Sequence, residues 1–186
     1  MLRLCIVLSV VLSAWLGSLN TASAHERAYE FRGVHFALSV ERFMGIDYTD
    51  FEGPGNSDVS ARLLLNASEP VPTSYARGGF DVFISRFSVG LAGGFTSRDT
   101  GIIAPRVGYL FGLTPTIGLW LRGGMFYSAN PGPNYFGLTG EALLGWFPYN
   151  NIALHLGPTL DIAFADHDNR NYVNIGILQF GITAFL

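Results

Sequence analysis

The chain has 186 residues, one cysteine, 23 glycines, 49% apolar residues and a formal net charge of −3. Only 13% of the residues are charged, about half the ~25% of a soluble domain, so much of the surface is not built to face water. Every basic residue is arginine and no basic patch forms, which argues against nucleic acid as a partner.

The chain opens with Met1-Leu2-Arg3, runs apolar from Leu4 to about Leu16 and closes that region with Ala22-Ser23-Ala24. A short positive start, an apolar run and a small-x-small site predict a secretory signal peptide over 1–24. The run is too short for a spanning helix, which needs ~20 residues. Cys5 precedes the run, so it is not the acylated cysteine of a lipoprotein. Residues 25–186 then form one exported domain without a disulfide. No later apolar stretch is long enough for a spanning helix, which excludes a helical membrane protein.

Eight extended segments follow, at roughly 33–46, 75–85, 87–97, 102–112, 116–128, 135–147, 151–164 and 172–186. In the first, Val34, Phe36, Leu38 and Val40 alternate with His35, Ala37, Ser39 and Glu41. The long connection 47–74 carries Asp47, Asp50, Glu52, Asp58 and Glu69 against Arg62. It reads as a solvated loop, or as one that meets cations bridging lipopolysaccharide or a partner protein. Within it VSARLLLN (59–66) is too apolar for solvent alone and suits a short strand or a flap over a barrel mouth. In the second segment Phe80, Val82 and Ile84 alternate with Asp81 and Phe83. Farther on, Ile103, Val107, Tyr109 and Phe111 alternate with Ala104, Arg106, Gly108 and Leu110. The next pair sets Ile117, Leu119, Leu121 and Met125 against Trp120, Arg122 and Phe126, then Phe136, Leu138, Ala142, Leu144 and Trp146 against Thr139, Glu141 and Leu143. In NIALHLGPTLDIAFA (151–165), Leu154, Leu156, Leu160 and Phe164 oppose His155, Thr159 and Asp161. This period of two is the signature of strands.

Most segments run to a dozen residues, nearer the ~9–11 of a membrane-spanning strand than the ~5–6 of a soluble one. Tight connections at 85–86, 113–115 and 148–150 alternate with mostly longer ones at 47–74, 98–101, 129–134 and 165–171, the habit of outer-membrane barrels. One set of faces is almost wholly apolar. The other holds Glu41, Asp81, Arg106, Arg122, Glu141 and Asp161 among small residues. That is too small and too uncharged for a surface in water, but it suits a packed barrel interior. The leucines therefore point into lipid. Arg42 breaks the apolar face of the first strand and is expected near its end, reaching for headgroups. Unpaired backbone groups cost several kcal/mol each in hydrocarbon, so the sheet must close. Eight strands leave an interior just wide enough for side chains to fill.

The expected fold is thus all-β: an eight-stranded antiparallel up-and-down transmembrane barrel, with short turns and N-terminus in the periplasm. YVNIGILQFGITAFL (172–186) places Leu178, Phe180, Ile182, Ala184 and Leu186 on one face. It resembles the C-terminal assembly signal of outer-membrane barrels, with Phe185 one position before the terminal Leu186 rather than terminal itself. With FALSVERFMG, IAPRVGYLFG, GLWLRGGMFYS and LGPTLDIAF, the chain resembles small OmpA/OmpX-type barrels and a group of uncharacterised barrel proteins. The resemblance implies an outer-membrane location and contact with the barrel-assembly machinery, lipid and lipopolysaccharide. It supplies no catalytic motif.

Arg122 and Glu141 form the sharpest pair. A hairpin centred between Pro131 and Gly132 makes them direct cross-strand neighbours inside the barrel, as a plug or, alternatively, a gate. Asp81, Arg106, Asp161, Glu41, His35 and His155 extend the network, in which acids outnumber arginines. No serine stands beside His155 on its strand, so no Ser-His-acid catalytic set is expected. Asp166-His167-Asp168 reads as a solvated turn rather than a cation site. No cofactor or metal is expected. Aromatics near strand ends suggest interfacial girdles: Phe87, Phe111, Trp146, Phe147, Tyr149 and Phe185 at the short-turn end; Phe95, Tyr127, Tyr135, Phe136, Phe164 and Tyr172 at the other. The preferred function is a monomeric structural or surface-interaction barrel with a filled lumen. The alternatives are a narrow channel or transporter for small or apolar solutes, a lipid A-modifying enzyme, or a secreted lipocalin-like binder.

Overall fold

A computed structural model describes residues 33–53, 57–63, 75–95, 100–129, 134–166 and 170–186. The expected signal peptide lies outside them. The described chain forms β1 (Val34–Phe51), β2 (Ser57–Leu63), β3 (Arg77–Ile84), β4 (Phe87–Phe95), β5 (Gly101–Thr114), β6 (Ile117–Ala129), β7 (Tyr135–Tyr149), β8 (Ile152–Ala165) and β9 (Tyr172–Phe185).

All neighbouring strands pair antiparallel, and β1 pairs with β9 to close the sheet. The closure continues to the last residue: Leu186 N donates to Phe36 O at 2.7 Å, and Phe36 N to Leu186 O at 3.3 Å. The ring holds eight strands. β2 stands outside that count because it shares one edge of β1 with β3. It pairs with Met44–Asp50, while β3 pairs with Val34–Glu41. The connection expected over 47–74 is therefore not all loop. β1 runs on to Phe51 and turns back into β2. Residues 59–63 of the apolar stretch form a strand, and 64–66 lie outside the described residues.

Tight turns sit at Ser85-Arg86, Pro115-Thr116 and Asn150-Asn151, the latter two one or two residues later than the sequence suggests. At the first, Ser85 takes a φ of 58°, the left-handed value that two-residue hairpins require. At the second, Thr114 Oγ1 accepts from the backbone N–H of Ile117 at 3.0 Å.

The polarity is inverted, as the alternation requires. Leu154, Leu156 and Leu160 are 40%, 38% and 45% exposed on the outer wall, while Arg122 and Glu141 are 5% and 7% exposed in the lumen. Strands of 13–15 residues, tilted ~40° with a rise of ~3.4 Å per residue, span roughly 35 Å, enough for a bilayer's hydrocarbon core.

Two irregularities break strict alternation. Arg42 has a φ of 54°, and the β1–β9 register shifts between Val40 and Met44. Glu41 and Arg42 consequently both face inward. In β9, Ile177 and Leu178 both face outward. There the β8–β9 register shifts between Gly157 and Thr159, where Pro158 has no N–H to give the ladder. The bulge sits where a donor is missing anyway.

The lumen is filled in layers. Ala37, Phe83, Leu110, Trp120, Leu143, Phe147, Ala153 and Phe185 cluster at the short-turn end. Ala92, Ile102, Ala104, Phe126, Ala163 and Tyr172 cluster toward the other, with Phe51 and Tyr135 against them. This corrects the expected girdles. Phe87, Phe111, Trp146 and Tyr149 do face outward, but Phe147, Phe185 and Tyr172 are buried inside. Phe147 and Phe185 stack with centroids 5.8 Å apart, and Phe83 meets Phe185 edge-on at 5.5 Å.

Candidate functional site: a charge belt across the lumen

Between the two apolar layers lies a belt of four arginines, Arg42, Arg77, Arg106 and Arg122, and four acids, Glu41, Asp81, Glu141 and Asp161. All eight are buried, and their formal charges cancel. The strand ladder sets the pairings. Arg122 stands opposite Glu141 between β6 and β7, and Glu41 stands opposite Arg77 between β1 and β3. Glu141 lies beside Thr159 on β8, two residues from Asp161.

Arg106 is fully engaged on one side of the lumen. Its Nη1 and Nη2 donate to Glu41 Oε2 and Oε1 at 2.6 and 2.8 Å, and its Nε and Nη2 to Asp81 Oδ1 and Oδ2 at 2.9 and 2.5 Å. Two bidentate forks use a guanidinium's planar donor set well. Ser39 Oγ also donates to Glu41 at 2.6 Å. Space for these groups comes from glycine: a Cβ on Gly90 would overlap Asp81 Oδ1 and the Phe80 carbonyl oxygen.

Arg42 holds the opposite side. It donates to Asp161 from Nη1 at 2.6 Å and from Nη2 at 3.1 Å, and to Glu141 Oε1 from Nη2 at 2.9 Å. Thr139 Oγ1 adds a 2.6 Å bond to Asp161. Arg122 bridges the halves, with Nη1 to Glu41 Oε1 at 2.7 Å and Nη2 paired with Glu141 Oε2. Its guanidinium carbon lies 4.3 Å from the Trp120 ring centroid, a cation–π contact where the belt meets the aromatic layer. Arg77 is the least engaged. Its Nη2 donates to Glu141 Oε1 at 2.6 Å, and its Nε lies 3.7 Å from Glu41 Oε2. Glu141 is thus a hub, shared by Arg42, Arg77 and Arg122, as Glu41 is by Arg77, Arg106 and Arg122.

The structure brings together Arg122, Glu141, Arg106, Asp81, Glu41 and Asp161. The expected excess of acids is corrected, because Arg42 and Arg77 balance them. Arg42 lies in the lumen and not at a lipid-facing strand end, because the irregularity in β1 turns it inward. No periodicity announces that turn. Arg77 was legible in principle, since it keeps the alternation of Phe83, Asp81 and Gly79 one step farther back. His155 stands apart from the ion pairs. Its Nε2 lies 3.1 Å from Thr183 Oγ1, and its ring meets Trp120 edge-on at 6.2 Å. His35 lies near the short-turn end, opposite Phe83 in the ladder. Above the belt, Asp47 Oδ1 accepts from Gln179 Nε2 at 3.1 Å and Asn174 Nδ2 at 3.3 Å.

Among the described residues no three His, Cys, Asp or Glu side chains gather as a metal site. Of the Asp166-His167-Asp168 turn, only Asp166 is described. Its carboxylate accepts from the backbone N–H and the side-chain amide of Asn134, both at 2.9 Å. Within the belt a cavity of about 10 Å³ is lined by Arg77, Ala104, Arg106, Arg122, Gly123, Thr139 and Glu141. A larger recess of about 220 Å³ lies beside the outward row Tyr127–Phe136–Phe164 at the longer-loop end.

No protein-family model matches the chain. A thiamine-monophosphate kinase of Corynebacterium glutamicum is 32% identical over 121 residues, 62% of this chain and 36% of the kinase. The chain thus spans about a third of that protein's length, too little to carry its activity here. Among solved structures, a de novo designed transmembrane β-barrel matches with a TM-score of 0.46 at 14% identity, over 84% of this chain and 99% of the design. Ail, the attachment invasion locus protein of Yersinia pestis, matches with a TM-score of 0.45 at 9% identity, over 83% of this chain and all of its own. Neisserial surface protein A matches with a TM-score of 0.54 at 12% identity, over 82% of this chain and 97% of its own. At that identity the likeness speaks for architecture alone, and the architecture is that of the small eight-stranded outer-membrane β-barrels.

Proposed function

We propose that this chain is an integral barrel of a bacterial outer membrane, exported by a cleaved signal peptide, with a sealed lumen and a structural or surface-interaction role without catalysis. The observation that carries this reading is the filled cross-section: two apolar layers enclose eight buried, mutually neutralising charges. A conducting pore lines a water path with solvated charge, whereas here each carboxylate of the belt is tied to at least one guanidinium. The partners that fit are outer-leaflet lipid and lipopolysaccharide at the outer wall, and the assembly machinery at the C-terminal strand during insertion. The barrel acts as a monomer. Non-enzymatic character is supported by the luminal histidine: His155 bonds to Thr183, and Asp161 is committed to Arg42.

Purified protein in planar bilayers tests the seal. The expected record is a quiet membrane, and steady, reproducible conductance would replace this reading with the channel or transporter. Carbonate washing of membranes tests the location. The protein is expected to stay in the pellet, and release into the wash would show that it is not an integral barrel.

A further inference from the structure

The belt balances in charge but not in hydrogen bonds. Arg77 Nε and Nη1, Arg122 Nε and Glu141 Oε2 are buried without a hydrogen-bond partner. The Glu141 oxygen is met by Arg122 Nη2 as an ion pair that lacks hydrogen-bond geometry. These three residues all line the 10 Å³ cavity. A space of ~10–15 Å³ is the smallest that holds one water, and such a water needs two to four polar partners. We propose that this cavity is a built site for a single small molecule that both donates and accepts hydrogen bonds, namely one water, held by Arg77, Arg122 and Glu141. The inference deepens the sealed-lumen reading and rests on it.

The donor set chooses between water and an anion. Arginine nitrogens call for an acceptor, which a water or a halide supplies. Glu141 Oε2 calls for a donor, which only the water supplies. A halide would also leave the neutral belt with a net negative charge in a medium of low dielectric, which is costly without a further cation. At about 10 Å³ the cavity has no room for anything larger. The water would complete the contacts of Arg77, the least engaged arginine, and lock the Glu141 carboxylate.

The test is a high-resolution crystal structure of the intact barrel grown in sodium bromide, with anomalous data collected at the bromine edge. The expected result is one density peak without anomalous signal, within ~3.2 Å of Arg77 and Arg122 nitrogens and of Glu141 Oε2. An anomalous peak there would assign the site to an anion, and an empty cavity would remove it; either overturns the proposal. A second crystal form, of Ala104→Val, checks the location. Its added methyl groups are expected to displace the peak while the Arg106–Asp81 and Arg106–Glu41 bonds persist. A peak that stays in place refutes the assignment. Conductance in planar bilayers reads the seal separately, so failure of the sealed-lumen reading and failure of the water site are distinguishable.

Discussion

Glu141 is a residue whose loss should be felt strongly. It accepts from Arg42 and Arg77 and is ion-paired with Arg122, so Glu141→Ala leaves four buried arginines facing three acids. Removing one partner of a buried ion pair costs ~3–5 kcal/mol, and this carboxylate serves three. The four cations are not equivalent once it is gone. Arg106 keeps both forks, Arg42 keeps Asp161, and Arg122 keeps Glu41 at 2.7 Å. Arg77 loses its hydrogen bond and retains only Glu41 at 3.7 Å. Replacing it should therefore restore balance best. Urea unfolding in lipid vesicles is expected to show Glu141→Ala ~3–5 kcal/mol less stable than the parent, and Glu141→Ala/Arg77→Met recovering ~1–2 kcal/mol of that. Glu141→Ala/Arg122→Met should recover less, because Arg122 also covers Glu41 and stacks on Trp120. If the Arg77 double variant is no more stable than Glu141→Ala, the belt does not act as a charge-balanced unit.

Neighbouring residues on β7 provide a test of inverted polarity. Phe147→Ala should cost ~3–5 kcal/mol by opening a cavity in the luminal aromatic layer, whereas Trp146→Ala, on the outer wall, should cost clearly less; equal losses in the same unfolding assay would contradict the assignment of faces. Leu121→Arg, outward at the height of the belt, should cost ~2–4 kcal/mol if that height is near the bilayer midplane, and an unchanged midpoint in urea would place the barrel differently in the membrane. Gly90→Ala should lose ~1–3 kcal/mol because its methyl group meets the Asp81 carboxylate and a backbone carbonyl, while Gly140→Ala, with nothing within 4 Å of the new Cβ, should change stability by no more than ~0.5 kcal/mol. A reversed order would refute the close packing around Asp81.

The strands, their faces and the inside-out polarity were legible in the sequence because each follows from a local period. Two-residue alternation, scarce charge and tight turns act within a few neighbours, and the Arg122–Glu141 register needs only one hairpin. Arg77 lies within reach of the same rule, because it shares the parity of Asp81 and Phe83 on β3. Arg42 does not, since a single positive φ reverses the side-chain direction and its neighbours give no sign of it. The luminal position of Phe147, Phe185 and Tyr172 is hidden in the sequence for a related reason. An aromatic near a strand end suits either an interfacial girdle or a luminal cap, and only parity counted through the bulges separates them.

Composition and period by themselves determined that this chain forms long strands with an apolar face turned outward, because those properties reside in each residue and its next neighbours. Closure at Phe36–Leu186, the short β2 beside β1 and the convergence of four arginines on four acids were decided only by the tertiary structure. Those contacts join residues up to 150 positions apart (Phe36 to Leu186), and their geometry depends on bulges and register shifts that exist only once the ring has closed.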